Sequence, residues 1–133
     1  MIMEIGFPGG VKVDARFRDH RITTDQPEKS GGANTAPAPF DMFLASIGTC
    51  AGFYALKFCQ QRGIDTTELA LTLETVRDPE IKRLERIELH LALPPEFPEK
   101  YEKAIIRAID QCAVKKAIAD PPEIRTLVAV PAV

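Results

Sequence analysis

The stretch PAPFDMFLASIGTCAGFYALKFCQQRG, residues 37–63, decides the fold of this chain. Pro39 suits the first turn of a helix, where its missing N–H is not needed, and Asp41 follows where the helix dipole favours negative charge. Gly63 supplies the stop. The stretch therefore predicts a helix from about Phe40 to Arg62. Its apolar residues, among them Met42, Phe43, Leu44, Ile47, Phe53, Tyr54, Leu56 and Phe58, point in nearly every direction. Such a helix is expected to be buried on most sides, by a sheet and by a second subunit.

Strand patterns lie on either side of this helix. Upstream, Val11, Val13, Ala15 and Phe17 alternate with charged residues, the period of a half-buried strand, and Asp19-His20 turns into a second strand at Arg21 to Thr24. Residues 26–39, QPEKSGGANTAPAP, form a loop long enough to act as a lid or to pack on a partner subunit. Downstream, Leu69, Leu71, Leu73 and Ile87, Leu89, Leu91, Leu93 predict two strands joined as a hairpin through residues 77–80. A Pro-started helix follows, with Tyr101, Ile105, Ala108 and Ile109 at helical spacing and Cys112 near its end or at the start of a further turn. Ile124, Leu127, Val128, Ala129 and Val130 suggest a last strand. The order β-β-α-β-β-α-β defines an α+β protein, and 133 residues suit a single domain, 1–133.

With 45% hydrophobic and 27% charged residues, the chain has the composition of a folded protein rather than a disordered one. A net charge of −2 with scattered Lys and Arg offers no basic face, which argues against nucleic acid as a partner. The N-terminal MIMEIGFPGG contains Glu4 and no basic leader, so no signal peptide is expected there. The most apolar run, Met42 to Leu56, is about 15 residues, short of a bilayer span. The expected compartment is the cytoplasm, with no membrane association.

Three cysteines remain to be explained: Cys50, Cys59 and Cys112. On one helix Cys50 and Cys59 are separated by about 900° and about 13 Å of rise. A disulfide needs Cα atoms within about 7 Å, so these two cannot pair within one intact helix. Zinc sites want clustered ligands, and here the thiols are dispersed with only His20 and His90 to help, so no metal is expected. No local signature of a Cys-His nucleophile accompanies them either. Two readings stay open, Cys50 with Cys112 or thiols that serve only as packing. Small neighbours, Gly48, Thr49 and Ala51, leave room beside Cys50, and Lys115 and Lys116 follow Cys112 closely enough to favour a thiolate if they point toward it.

Residues 37–50, PAPFDMFLASIGTC, resemble the signature Pro-x-Pro-x-(Asp/Glu)-Leu-Leu-Leu-Ala-(Ala/Ser)-Leu-Gly-x-Cys, and QCAVKKAI resembles a second motif, Cys-Pro-Val-His-(Lys/Arg) followed by an apolar pair. Both belong to the osmotically inducible protein C (OsmC) and organic hydroperoxide resistance (Ohr) superfamily. The resemblance implies an OsmC-like fold in an intertwined homodimer, two central helices enclosed between sheets, and two sites at the subunit interface. It also implies a thiol-dependent reduction of organic hydroperoxides in which Cys50 attacks and Cys112 resolves, a dithiol reductant, and no cofactor. Cys59, on the opposite helical face, is left as core packing. The resemblance places the substrate in a mainly apolar pocket lined by the central helix and the Gly31-Gly32 loop.

Cys50 lies too far inside its helix for that helix's own dipole to activate it, so an added cation is expected. Arg18-Asp19-His20-Arg21 resembles the Arg-Asp-Gly loop that supplies an Arg in the hydroperoxide-resistance branch. Arg18 is the first choice, with Arg16 and Arg21 as rivals. The chain departs from that branch in three places. Phe40 stands where its Glu would be, with Asp41 the nearest acid, Ala113 replaces Pro, and Lys115 replaces His. On an ideal helix Asp41 faces away from Cys50, which leaves it the alternative role of favouring the helix start. These departures keep two further readings in view: a non-catalytic dimer that binds an apolar ligand, and a redox sensor.

Overall fold

The computed structural model describes residues 1–129. Eight regular elements follow one another: β1 (Glu4–Gly9), β2 (Lys12–Phe17), β3 (His20–Thr24), α1 (Pro39–Gln60), β4 (Ala70–Arg77), β5 (Leu84–Ala92), α2 (Glu102–Ile109) and α3 (Ala113–Ala119). Short 3-10 turns stand at Glu28–Ser30 and Glu99–Tyr101. The architecture is α+β, and its backbone packs as two compact units, Met1–Ser46 and the remainder from Ile47, with α1 running through the boundary.

The first unit is a three-stranded antiparallel sheet in the order β1-β2-β3. β1 was not anticipated from the sequence, because Gly6, Pro8 and Gly9 within EIGFPG demote a strand pattern. Those residues are tolerated at a sheet edge, where the pairing with β2 is irregular between Gly6 and Gly9. Asp14 is the buried residue of β2. Its carboxylate accepts from Thr23 Oγ1 at 2.8 Å and from the Arg21 guanidinium on the neighbouring strand.

The long loop that follows β3 is organised by a second buried carboxylate. Asp25 accepts from the N–H groups of Gln26 (2.8 Å), Ala33 (3.3 Å) and Thr35 (3.0 Å) and from the Thr35 hydroxyl (2.8 Å). Those donors hold its carboxyl down at about 2. At Gly32 the loop backbone closes on itself so tightly that an added Cβ would stand 1.9 Å from the Gln26 carbonyl oxygen, so only glycine fits.

In the second unit, β4 and β5 pair antiparallel, with Leu71 opposite Leu91 and Leu73 opposite Leu89. The apolar face of this hairpin receives α1, whose Gly48 and Gly52 bring the helix backbone close to Leu73 and Leu71. Ala51, Ala55, Phe58 and Cys59 of α1 form the core with Ile105 and Ile109 of α2, packed against Leu71, Leu89, Leu91 and Leu93. At the end of α1, Arg62 lies over the Phe58 ring, 3.6 Å to its centroid, and donates to the Phe58 carbonyl at 3.1 Å. Thus a cation closes the carbonyl end of the helix, as its dipole favours.

Three expectations change. α1 is 22 residues long and apolar enough by length and composition to cross a bilayer, unlike the shorter run read from the sequence. Within the single chain α1 buries one seam, Ile47, Ala51, Ala55, Phe58 and Cys59, against the sheet, and Phe53, on the side expected to meet a second subunit, keeps 57% of its surface exposed. The helix anticipated after β5 is two helices broken at Cys112, which has non-helical backbone angles (φ −49°, ψ 121°). Residues 121–129 form no strand, and Ile124, Leu127 and Val128 are exposed. A strand needs a ladder partner, which alternation in sequence does not supply. Val130, the last residue of that expected strand, lies outside the described residues.

Candidate functional site

The break between α2 and α3 brings two thiols together. Cys50 lies midway along α1 and is half-buried, whereas Cys112, at the N-cap position of α3, is fully buried. The Cys112 S–H donates to the Cys50 sulfur, and the backbone N–H groups of Val114 and Ala113 are turned toward the same atom. All three cysteines are free thiols.

The pair is electrostatically asymmetric. Burial pushes the Cys50 thiol up, but the Cys112 S–H and the two amides outweigh it, so Cys50 titrates below the ordinary cysteine value. Cys112 moves the other way, raised by burial and by its hydrogen bond to Cys50 against a smaller opposing pull from the amides of Lys115 and Val114. The arrangement is therefore a thiolate-prone sulfur with a protonated thiol against it. That combination suits a nucleophile and a partner able to condense with its oxidised form.

The amides are what the sequence reading missed. It sought a cation for Cys50, yet the donors stand on a different helix from the one that carries the sulfur. The signal available was the interrupted helical spacing at Gln111-Cys112, which marks a new helix start. Lys115 and Lys116 do not turn to the thiols. Lys115 bonds Asp110, and Lys116 donates to Gln111 Oε1 at 2.9 Å.

The remaining expected site residues have other surroundings. Arg18 is exposed in the β2–β3 turn with a left-handed backbone (φ 50°), Arg16 is exposed on β2, and Arg21 is bound to Asp14. Asp41 accepts from the Ala38 N–H at 3.2 Å, reaching back to the residue that precedes the helix, as a capping acid does. Cys59 is fully buried in the core, and burial raises its pKa despite Arg62 nearby.

A cavity of about 760 Å³ lies within the second unit, with Ile47 of α1, Leu89 and Leu91 of β5, Ile105 and Ile109 of α2 and Ile118 of α3 among its walls. Its lining comes from α1, the hairpin, α2 and α3 rather than from the Gly31-Gly32 loop. Ile109 and Lys115, which flank Cys112, belong to it. Among the described residues, Glu74, Glu88 and His90 converge closely enough to share a cation. They stand on the opposite face of the hairpin from its core leucines and include no cysteine. Mutual pairing, with His90 Nε2 at 3.5 Å from Glu74 and 3.3 Å from Glu88, accounts for their approach.

Fold and site together define an α+β protein with a paired, unequally acidic set of thiols. The chain belongs to the OsmC-like protein family, whose model matches residues 31–126 and so takes in α1, both thiols and the hairpin. Among solved structures, it is similar to a protein of Psychrobacter arcticus assigned to the osmotic stress induced and detoxification response. The two are 19% identical over 86% of this chain and 85% of that one, with a TM-score of 0.71. An OsmC-like protein from Mycoplasma pneumoniae (17% identity, 83% and 80% covered, TM-score 0.63) has the same fold. So does an organic hydroperoxide resistance protein from Elizabethkingia anophelis with thiocyanate bound (20%, 91% and 90%, TM-score 0.61). No match was found among curated proteins by sequence.

Proposed function

We propose that this protein is a thiol-dependent peroxidase that reduces organic hydroperoxides, with Cys50 attacking and Cys112 resolving. The observation that carries the reading is the contact between the two sulfurs, with opposite displacements of their acidities. Family membership and the fold shared with an organic hydroperoxide resistance protein support the substrate class.

In the first step the Cys50 thiolate attacks the terminal oxygen of the hydroperoxide. The O–O bond breaks, the departing alkoxide takes up a proton equivalent to the one the Cys50 thiol released and leaves as the alcohol, and Cys50 becomes a sulfenic acid. Cys112 then loses its proton and attacks the Cys50 sulfur, water leaves, and a disulfide forms. An external dithiol returns the pair to the reduced state by exchange. No metal or organic cofactor takes part. The working unit is a homodimer in the cytoplasm, each protomer acting as one OsmC-like domain. In that assembly Arg18 is the cation that adds to the amides at Cys50, and Asp41 serves the helix start.

Stoichiometric cumene hydroperoxide should produce an intramolecular Cys50–Cys112 disulfide, mapped by mass spectrometry and abolished in Cys50→Ser. If Cys50 stays reduced in the wild type while peroxide disappears, the reading fails. The cavity beside Cys112 favours one rival, a dimer that binds an apolar ligand without chemistry. Peroxide consumption unchanged in Cys50→Ser would favour that rival.

A further inference from the structure

Two side-chain straps cross the corner between α2 and α3, and Cys112 lies between their ends. Lys115 Nζ donates to Asp110 Oδ1, and Lys116 Nζ donates to Gln111 Oε1 at 2.9 Å. Each strap joins a residue of the turn before Cys112 to a residue in the first turn of α3. The straps lie at the surface, with Asp110 54% and Lys115 36% exposed, whereas the thiol between them is fully buried.

α3 has little else to fix its direction. It is seven residues long and none of them is buried. A helix of two turns is not stable alone, and packing normally supplies the difference. Backbone bonds hold the corner itself, Cys112 N–H to the Ile109 carbonyl at 3.1 Å and Lys116 N–H to the Cys112 carbonyl at 3.0 Å. The angle at which the helix leaves that corner decides where the N–H groups of Ala113 and Val114 point.

We propose that Asp110 and Gln111 are positioning residues for the thiol pair: bonded to Lys115 and Lys116, they hold the first turn of α3 so that its N–H groups meet the Cys50 sulfur. The proposal rests on the reactive-thiol reading of Cys50 given above. It differs in sign from a direct electrostatic role. A negative Asp110 felt through space disfavours the thiolate, so removing its charge would make Cys50 more acidic; losing the strap makes Cys50 less acidic. Among the described residues, the other charged or titratable groups at this corner are Cys112, Lys115 and Lys116, and Asp110→Ala leaves all three in place while removing the acceptor.

The test is the pH profile of Cys50 alkylation by iodoacetamide, read at the Cys50 peptide in the full-length protein. Wild type is compared with Asp110→Ala, Gln111→Ala and the charge-exchanged double variant Asp110→Lys/Lys115→Asp. Asp110→Ala should raise the midpoint by about half a unit, roughly a threefold loss of thiolate below the midpoint, with little change in melting temperature. Gln111→Ala should raise it by less, and the exchanged variant should recover part of the loss. A wild-type midpoint in the ordinary cysteine range overturns the reactive-thiol reading itself. A low wild-type midpoint that Asp110→Ala leaves in place or lowers overturns the positioning role alone. Should Asp110→Ala fail to fold, Gln111→Ala carries the same test, and an unmoved midpoint there overturns the role.

Discussion

Cys50 and Cys59 ride on one helix and differ in the properties that govern thiol reactivity. Cys59 is sealed in the core, where burial disfavours its thiolate; Cys50 is half-buried and receives three donors. At pH 7 a limiting alkylating reagent should label Cys50 at least about tenfold faster than Cys59, as counted on the two peptides. Asp25 is the other residue with a decisive environment. Its folded carboxyl, at about 2, lies below the ordinary aspartate value of 3.8, so its contribution to stability is fully present above about pH 4 and is lost as pH falls toward 2. Asp25→Asn should therefore flatten the acid side of a melting-temperature profile between pH 5 and pH 2, because the group that titrates there is gone. Neither environment was legible in the sequence. Both depend on N–H groups of residues that only the folded chain brings to the acceptor.

At the scale of elements, the local patterns were readable and their joints were not. The turn residues and apolar period around α1 and the hairpin gave their extents closely, because each is set by neighbours three or four positions away on a helix or two on a strand. The corner at Cys112 carries no proline or glycine to announce it, so the sequence left open whether Cys112 ends one helix or starts a further turn. Glycines illustrate the same division. Gly48 on α1 has its nearest neighbour, Leu73, at 3.8 Å from an added Cβ, whereas Gly32 would meet a carbonyl at 1.9 Å. Gly48→Ala should melt close to wild type, and Gly32→Ala should melt well below it, because the loop must open to admit the methyl group. Truncation of the fully buried Ile105 to Ala should cost about 2 to 5 kcal/mol in denaturant unfolding, as expected where a core cavity is left.

At the scale of the whole molecule, apolar surface is left over. Phe53 and Leu56 on α1 and Ile124, Leu127 and Val128 in the final segment remain exposed in the single chain. That surface is what the homodimer reading would cover, and it explains why the sequence pointed to a helix enclosed on most sides and to a closing strand. Apolar periodicity reports that a surface needs burying; it does not say which chain buries it. Sedimentation of the wild type should give a dimer, and Phe53→Glu should shift it toward monomer with reduced peroxide turnover. A wild-type monomer would remove the assembly from the proposal.

The donors at Cys50 include two main-chain N–H groups, which every residue but proline carries. An alanine scan of this protein would therefore reach the Cys50 thiol and pass over part of what lowers its pKa. The informative change is subtractive at the backbone: Ala113→Pro keeps a residue suited to the first position of a helix while deleting one hydrogen that faces the sulfur. In this chain, part of the thiol's acidity is written in the course of the backbone, where side-chain genetics cannot erase it.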